Sequence, residues 1–216
     1  MTHNRNNLAL CLVLSILLAV PTAFAGNMDK FKRRTGNGDP VAGKVSSQIC
    51  QGCHGTNGNS SDELIPKLAG QYDGYIVKQM RNYLAGTRSH EIMNNMAAPL
   101  SDKELADIAA YFANQPIMKG NGAVSNDKGR NLFLKGNISE KVMTCIYCHG
   151  ESGKGIDPAT GMYPVIGGQH KAYLLKQLKD FREDNRVNSP NVVMNNITRS
   201  LSDDDLEALA DYISAQ

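Results

Sequence analysis

One pentapeptide pattern occurs twice in this chain and constrains its fold more than any other feature. The spacing C-x-x-C-H appears in Cys50-Gln51-Gly52-Cys53-His54 and again in Cys145-Ile146-Tyr147-Cys148-His149, each followed by glycine. The two copies use four of the five cysteines of a chain of 216 residues. Two cysteines at this spacing, with a histidine directly after them, form the attachment signature of c-type haem. The repetition therefore predicts two cofactor sites.

Each residue type in the motif has a chemical role. The two sulfurs add to neighbouring vinyl groups of one porphyrin, and the adjacent histidine binds the iron. We therefore predict two covalently bound haem c groups. Their thioether bonds are predicted at Cys50, Cys53, Cys145 and Cys148, and their proximal iron ligands at His54 and His149. A redox dithiol, a disulfide and a zinc site are the alternatives. Zinc requires the two motifs to meet in space, and none of the three explains a histidine after both cysteine pairs.

The first 25 residues have the pattern of an export signal. Arg5 precedes an apolar run from Leu8 to Val20, and Ala23-Phe24-Ala25 provides a small-x-small cleavage site. The run is shorter than the roughly 20 residues that a membrane-spanning helix needs. We predict cleavage after Ala25 and a periplasmic protein, with an uncleaved membrane anchor as the alternative.

Charge and cysteine usage agree with this location. Without the signal, all cysteines lie in the two motifs, so no unpaired thiol is left for oxidation outside the cytoplasm. The mature chain carries 22 basic and 21 acidic residues, with a net charge of +2 for residues 26–120 and −1 for residues 121–216. Such a balance is not typical of a nucleic-acid-binding protein.

The chain contains an internal repeat, which divides the mature protein in two. The motifs start 95 residues apart, and further matches follow at slightly larger offsets. Residues 66–71 match 164–169, residues 75–80 match 173–178, and residues 93–95 match 194–196. The pattern indicates tandem units of about 90 residues, a normal size for a small domain. We predict an N-terminal domain at 26–120 and a C-terminal domain at 121–216.

Both units are predicted to be helical. Ser101 with Glu104, and Ser202 with Asp205, have the spacing of a capping box before an amphipathic helix. Further amphipathic helices are predicted around residues 75–83 and 173–181, and helices leading into the motifs at 41–49 and 128–135. Residues 114–127 contain Pro116, Gly120 and Gly122, which favours an irregular linker.

The sixth iron ligand decides between electron transfer and chemistry on a bound substrate. Methionine opposite histidine is typical of electron-transfer haems and raises their reduction potential. Met93 and Met194 each lie seven residues before a Leu-Ser-Asp sequence, whereas Met96 aligns with Ile197. We therefore predict Met93 and Met194 as the sixth ligands, with Met96 as the competitor at the first iron.

Other methionines and histidines are assigned by their lack of a matched partner. We interpret Met28, Met80, Met118 and Met143 as core fillers. His90 and His170 are expected on the surface, with His90 as an alternative distal ligand that would lower the potential of the first haem.

The full set of motifs resembles the dihaem cytochrome c4 family. Each unit has C-x-x-C-H, a Pro-x-x-x-Gly-Gln segment and a methionine before a Leu-Ser-Asp helix. The resemblance covers nearly all of the mature chain. It implies an all-α fold of two tandem class I cytochrome c-like domains related by a pseudo-twofold axis, with haem propionates approaching each other between the domains. It also implies that the carbonyls of Pro66 and Pro164 bind the second ring nitrogens of His54 and His149.

The resemblance implies a function as well. The chain is expected to be an electron carrier and not an enzyme. Its periplasmic partners would be the quinol-oxidising complex and a terminal oxidase, with loose attachment to the membrane surface and no small-molecule substrate. Two alternatives stay open: the dihaem subunit of a larger oxidoreductase such as a flavocytochrome sulfide dehydrogenase, and a dihaem enzyme with one open iron position.

Some matched or clustered polar residues have two interpretations. Tyr75 with Tyr173 could bind haem propionates or pack between helices, and Arg88 with Arg186 could bind propionates or lie on a solvated surface. Residues 32–34 form a basic cluster that either meets an anionic partner or is a solvated tail. The acidic residues 203–205 are a candidate docking patch for a redox partner.

Overall fold

The computed structural model describes Met1 and residues 36–122, 126–157 and 160–216. The predicted signal peptide and the basic cluster at 32–34 lie outside the described residues, apart from Met1. Within these ranges the chain is helical, and its one β-type contact is an isolated antiparallel bridge between Asn137 and Val142. None of the helices in these ranges has the length and apolar character needed to cross a membrane.

The two halves contain the same order of helices. The first half has α1 (Pro40–Ser46), α2 (Gln48–His54), α3 (Asp73–Leu84), α4 (Glu91–Ala97) and α5 (Asp102–Ala113). The second half has α6 (Asp127–Lys135), α7 (Ile146–His149), α8 (Lys171–Arg182), α9 (Val193–Thr198) and α10 (Asp203–Ser214), with a short 3-10 turn at Pro190–Val192 before α9. The all-helical prediction and the repeat are confirmed.

One local prediction differs from the structure, and two local features were not predicted. The helix predicted at 41–49 ends at Ser46, and a second helix begins at Gln48 and carries the first motif. The helices α4 and α9, which carry Met93 and Met194, were not predicted because their short sequences have no clear amphipathic period. The bridge between Asn137 and Val142 lies in residues 136–144, the segment before the second motif, for which no structure was predicted.

The capping boxes form as the spacing predicted. The Ser101 hydroxyl accepts from the Glu104 main-chain N–H, and the Ser101 N–H donates to the Glu104 carboxylate at 3.0 Å. Ser202 and Asp205 make the same pair of bonds in the second half. These caps fix the start of α5 and α10, the helices against which α1 and α6 pack.

Each half is built on a close helix crossing. The helix α1 crosses α5 at Gly43, and α6 crosses α10 at Gly129. A Cβ at Gly43 would overlap the main-chain oxygen of Asp107, and one at Gly129 would overlap that of Ala208. Only glycine permits this approach, so the crossing sets where the following motif enters each half.

The two halves face each other through reciprocal hydrogen bonds. Gln71 donates to the Val165 carbonyl at 2.8 Å and accepts from the Val165 N–H at 3.0 Å. Gln169 donates to the Lys67 carbonyl at 2.9 Å and accepts from the Lys67 N–H at 2.8 Å. Lys67 and Val165, like Gln71 and Gln169, are equivalent positions of the repeat. Exchange of equivalent contacts is the property of a twofold interface, so the two halves are related by a pseudo-twofold axis.

The segment between the halves is part of this interface. Residues 114–122 contain no helix, in agreement with the predicted irregular linker. The Met118 N–H donates to the Ala69 carbonyl, and the Met118 side chain is buried with Tyr72 and Val165. The linker backbone runs so close to Gly70 and Gly168 that neither position has room for a Cβ, and both glycines have a positive φ.

Candidate cofactor site

The motif histidines are held in one orientation by main-chain carbonyls. The Nδ1–H group of His54 donates to the Pro66 oxygen at 2.9 Å, and that of His149 donates to the Pro164 oxygen at 3.0 Å. A carbonyl can only accept, so Nδ1 carries the proton and Nε2 is left as the ligating nitrogen. Burial lowers the pKa of both imidazoles, which favours the neutral form that a metal binds. The expected proline contacts are present in both halves.

The helical geometry of the first motif brings its three key side chains to one face. Cys50, Cys53 and His54 are three and four residues apart on α2, a spacing at which helical side chains are neighbours. In the second motif Cys145 is the N-cap of α7, and Cys148 and His149 lie within that helix.

The four motif thiols show neither a disulfide nor a metal cluster. All four cysteines are free. Burial raises the pKa of Cys145 to about 12 and also raises the pKa of Cys50 and Cys148. In the described ranges, no three His, Cys, Asp or Glu side chains are placed to hold a metal ion together. The described residues therefore show no grouping of the two motifs around one point, which is the arrangement that the zinc alternative required.

One continuous cavity connects the two halves. The rings of His54 and His149 line it, as do Cys53, Cys145 and Cys148, while Cys50 packs against the core of the first half. Its walls also include core residues of both halves, such as Ile76, Met80, Leu174 and Phe181. A cavity with apolar walls and a few convergent polar groups is the normal form of a cofactor site.

The candidate methionines are placed differently around this cavity. Met93 and Met194 both line it and are half-buried. Met96 is absent from the lining, although Ile197, its counterpart in the repeat, is present. The register inferred from the repeat is therefore consistent with the positions of the two side chains that it selects.

The arginines at the interface are buried, which corrects the solvated-surface interpretation. Arg88 and Arg186 are only 9% and 7% exposed. Arg88 donates to the hydroxyl of Tyr173 at 3.0 Å, and Arg186 donates to that of Tyr75 at the same distance. Each arginine therefore reaches a tyrosine of the opposite half. The tyrosine hydroxyls therefore form hydrogen bonds across the interface, in addition to any packing within their own halves.

Two glutamines complete this network. Gln79 Oε1 accepts from Arg88 at 2.8 Å and from Arg186 at 3.2 Å. Gln177 Oε1 accepts from Arg186 at 2.7 Å and from Arg88 at 2.9 Å. We call these six residues the interface cluster: Tyr75, Gln79, Arg88, Tyr173, Gln177 and Arg186. Sequence reasoning missed the glutamines, although both follow a tyrosine by four residues in the repeat.

The interface cluster has an excess of positive charge and of donors. Its arginines donate to neutral tyrosine, glutamine and asparagine oxygens, and none of these hydrogen-bond partners in the described ranges is a carboxylate. Burial raises the pKa of Tyr75, but the charges of Arg186 and Arg88 outweigh it and leave that pKa lowered. Gln79 Nε2 is buried without an acceptor. Because buried cations need a counter-charge, the cluster fits an anionic group such as a haem propionate.

The remaining candidate residues lie as follows. His90 is exposed and caps α4 by accepting from the Met93 N–H at 3.4 Å. His170 is half-buried, and its Nε2 lies 3.0 Å from the Ser60 hydroxyl across the interface. Met80 and Met118 are buried as expected, whereas Met143 is 52% exposed and is not a core filler. Met28 lies outside the described residues.

The candidate acidic patch at 203–205 is largely engaged in ion pairs. Asp203 lies 2.6 Å from Arg182, and Asp205 lies 2.9 Å from Lys128 while also capping α10. Much of the negative charge of the patch is therefore balanced within the molecule.

Comparison with known proteins identifies the family that this chain resembles. The cytochrome c family model matches residues 41–116 and 127–216. Cytochrome c4 of Pseudomonas aeruginosa is 43% identical over 178 residues, which cover 82% of this chain and 88% of that protein. The crystal structure of reduced recombinant cytochrome c4 from Pseudomonas stutzeri superposes with a TM-score of 0.75 at 39% identity and covers 82% of this chain and 98% of that one. A thiosulfate dehydrogenase electron acceptor of Stutzerimonas stutzeri is 31% identical, with 94% of this chain and 91% of that protein covered.

Proposed function

Because the chain belongs to the cytochrome c4 family of dihaem electron carriers, we propose that it passes single electrons between redox proteins in the periplasm. The fold is that of two tandem class I cytochrome c domains, and the family holds two covalent haem c groups. These haems supply the one-electron chemistry. We propose domain boundaries at 26–120 and 121–216 after removal of residues 1–25 as a signal peptide.

We propose the following residues for the two haem sites. Cys50 and Cys53 would attach the first haem and Cys145 and Cys148 the second, with axial pairs His54–Met93 and His149–Met194. The carbonyls of Pro66 and Pro164 would orient the imidazoles and increase their basicity. The arginines, tyrosines and glutamines of the interface cluster would neutralise propionates between the domains.

The observation that carries the proposal is the matched ligand set in the shared cavity. Each half offers a buried imidazole with a fixed tautomer and a methionine that lines the same cavity. An iron with both axial positions filled exchanges no ligand during electron transfer and leaves no place for a substrate. The proposal of a carrier, as opposed to an enzyme with an open iron, follows from this pairing.

The first test is carbon monoxide binding to the reduced, purified protein at neutral pH, measured per haem. We expect no binding, because Met93 and Met194 would fill the distal positions of the two haems. Stoichiometric binding to one haem would mean an open or labile site and would replace the carrier with a catalytic or sensing role.

A second test concerns the ligand register. In Met93→Ala we expect loss of the iron-to-sulfur charge-transfer band of the first ferric haem, whereas Met96→Ala should retain it. The matched pair Met194→Ala and Ile197→Ala provides the same comparison in the second half. The opposite result in the first half would assign Met96 as the ligand.

For the partners, we propose transfer from the quinol-oxidising complex towards a terminal oxidase. A second candidate, acceptance of electrons from a thiosulfate-oxidising enzyme, is favoured by the similarity to a thiosulfate dehydrogenase electron acceptor over 94% of the chain. Stopped-flow reduction by each purified donor distinguishes them: the physiological donor should reduce the protein at a rate that saturates with concentration and falls with salt.

The surface of the first half offers a docking face for such a partner. Val41, Val45 and Ile49 form an apolar stripe and are 76%, 66% and 67% exposed. The stripe ends next to Cys50, at the proposed haem attachment. The glycine crossings align Val41 with Asp127 and Val45 with Asn131, both polar and exposed. We propose that the first half docks a partner through this stripe.

A further inference from the structure

The interface cluster is nearly symmetric, but one pair of equivalent positions breaks its symmetry. The first half has Asn82 where the second half has Asp180, each four residues after a lysine on the same helix face. Lys176 Nζ lies 2.6 Å from the Asp180 carboxylate and forms an ion pair. The equivalent Lys78 donates to Asn82 Oδ1 at 3.2 Å and to the Asn188 carbonyl of the opposite half at 2.6 Å.

The same difference changes the bonding of the cluster glutamines. Gln177 Nε2 donates to the Asp180 carboxylate at 3.1 Å. Its counterpart Gln79 Nε2 has no acceptor, and the oxygen of Asn82 is taken by Lys78 and by Asn188 Nδ2. The first half therefore presents one free buried amide donor, while the second half has its equivalent donor satisfied by a carboxylate.

These contacts make the charges that the two halves contribute to the shared cavity unequal. Lys78, Lys176 and Asp180 all line the cavity that contains both proximal histidines. Lys78 forms no ion pair in the described ranges, because its hydrogen-bond partners there are the neutral oxygens of Asn82 and Asn188. At the second half the charge of Lys176 is balanced by Asp180.

We propose that Asp180 sets the reduction potential of the second haem, holding it lower than an uncharged residue at this position would. Reduction adds an electron to the haem, and a nearby carboxylate opposes that added charge. Asp180 also occupies the Gln177 amide that would otherwise be free to bind an anionic propionate. Both effects lower the reduction potential of the second haem. The inference rests on the proposed haem sites and on their use in electron transfer.

The test is a redox titration of the full-length dihaem protein, with haem methyl NMR resonances used to follow each iron separately. In Asp180→Asn we expect the second haem to become easier to reduce, with a roughly three- to tenfold change in its oxidised-to-reduced ratio at fixed potential, about 30–60 mV. The first haem should change much less. The reciprocal variant Asn82→Asp should make the first haem harder to reduce.

Asp203→Asn is the matched control. Asp203 lies in the same half as Asp180 and likewise pairs with a basic side chain, Arg182. Unlike Asp180, Asp203 does not line the cavity. We expect Asp203→Asn to leave both potentials close to those of the parent protein. An equal shift of the second haem in Asp203→Asn and Asp180→Asn would show a general charge effect and overturn the inference.

Failure of this inference is distinguishable from failure of the proposed function. Unchanged potentials in both Asp180→Asn and Asn82→Asp, with no carbon monoxide binding, would remove Asp180 as the determinant and leave the carrier intact. Equal movement of both haems in Asp180→Asn would also refute it, because the carboxylate would then act on the whole interface. Carbon monoxide binding to the parent protein would instead remove the premise.

Discussion

The interface glutamine Gln71 offers a quantitative test of how the two halves are held together. Its side chain is 4% exposed and satisfies both main-chain groups of Val165, which is itself 1% exposed. In Gln71→Ala the N–H and the carbonyl of Val165 lose their partners while they remain buried. The change leaves the haem motifs and their axial ligands untouched.

The expected loss follows from these two groups and from the Tyr72 N–H, which also donates to Gln71 Oε1 at 3.0 Å. An unsatisfied buried donor or acceptor costs about 1–3 kcal/mol, and water entering the space left by the side chain offsets part of this. We therefore expect Gln71→Ala to lower the free energy of unfolding by about 2–4 kcal/mol. The equivalent Gln169→Ala should cost less, because its partner Lys67 is only half-buried and water reaches the exposed main-chain groups more easily.

The assay is guanidinium unfolding of the dihaem protein, followed by far-ultraviolet circular dichroism. Gln48→Ala is the control, because this glutamine is exposed at the start of α2 and should change stability by less than about 0.5 kcal/mol. If Gln71→Ala and Gln48→Ala unfold with the same free energy, or if Gln169→Ala is the more damaging variant, the reasoning from buried main-chain groups is wrong.

Three further predictions concern the crossing, the docking face and pH. In Gly129→Ala the added Cβ overlaps the Ala208 oxygen and forces α6 away from α10. We expect the free energy of unfolding, measured by thermal unfolding, to fall by about 3 kcal/mol. A parent-like melting temperature would contradict the close crossing. Val45→Glu should slow electron exchange with a physiological partner several-fold, whereas the matched Asn131→Glu should not. Equal rates for the two variants in stopped-flow measurements would exclude the apolar stripe as the docking face. Burial lowers the pKa of His170 in the folded protein. As the pH drops, the unfolded chain therefore binds a proton at this residue before the folded protein does. The free energy of unfolding should fall as the pH drops below about 6.5. His170→Tyr, which copies Tyr72 of the first half, should reduce this slope in unfolding measured from pH 7 to pH 5, and an unchanged slope would remove His170 as its source.

The local chemistry of this protein could be predicted from residues close together in the chain. The C-x-x-C-H motifs, the capping boxes at Ser101 and Ser202 and the helical periods depend on spacings of a few residues, and each has a defined physical meaning. The internal repeat extended this reasoning, because it selected Met93 over Met96 without any knowledge of the cavity. In the structure Met93 lines the cavity and Met96 does not, and the assignment of Met93 as the ligand stays a prediction.

The repeat could not predict how its two copies face each other. It pairs Arg88 with Arg186, but whether these side chains lie on an exposed surface or in a buried interface depends on which face of each unit is covered by the other. The same holds for His170, whose bond to Ser60 joins residues 110 positions apart.

Sequence by itself therefore determined the cofactor chemistry, the repeated unit and the axial ligand candidates, because these depend on residue type and short spacing. Only the tertiary structure decided the reciprocal glutamine bonds, the buried arginines and the unequal environments of Asn82 and Asp180. These features arise where two nearly identical surfaces meet, and a small difference between matched residues there acquires its meaning from burial and from the partner that the opposite half supplies.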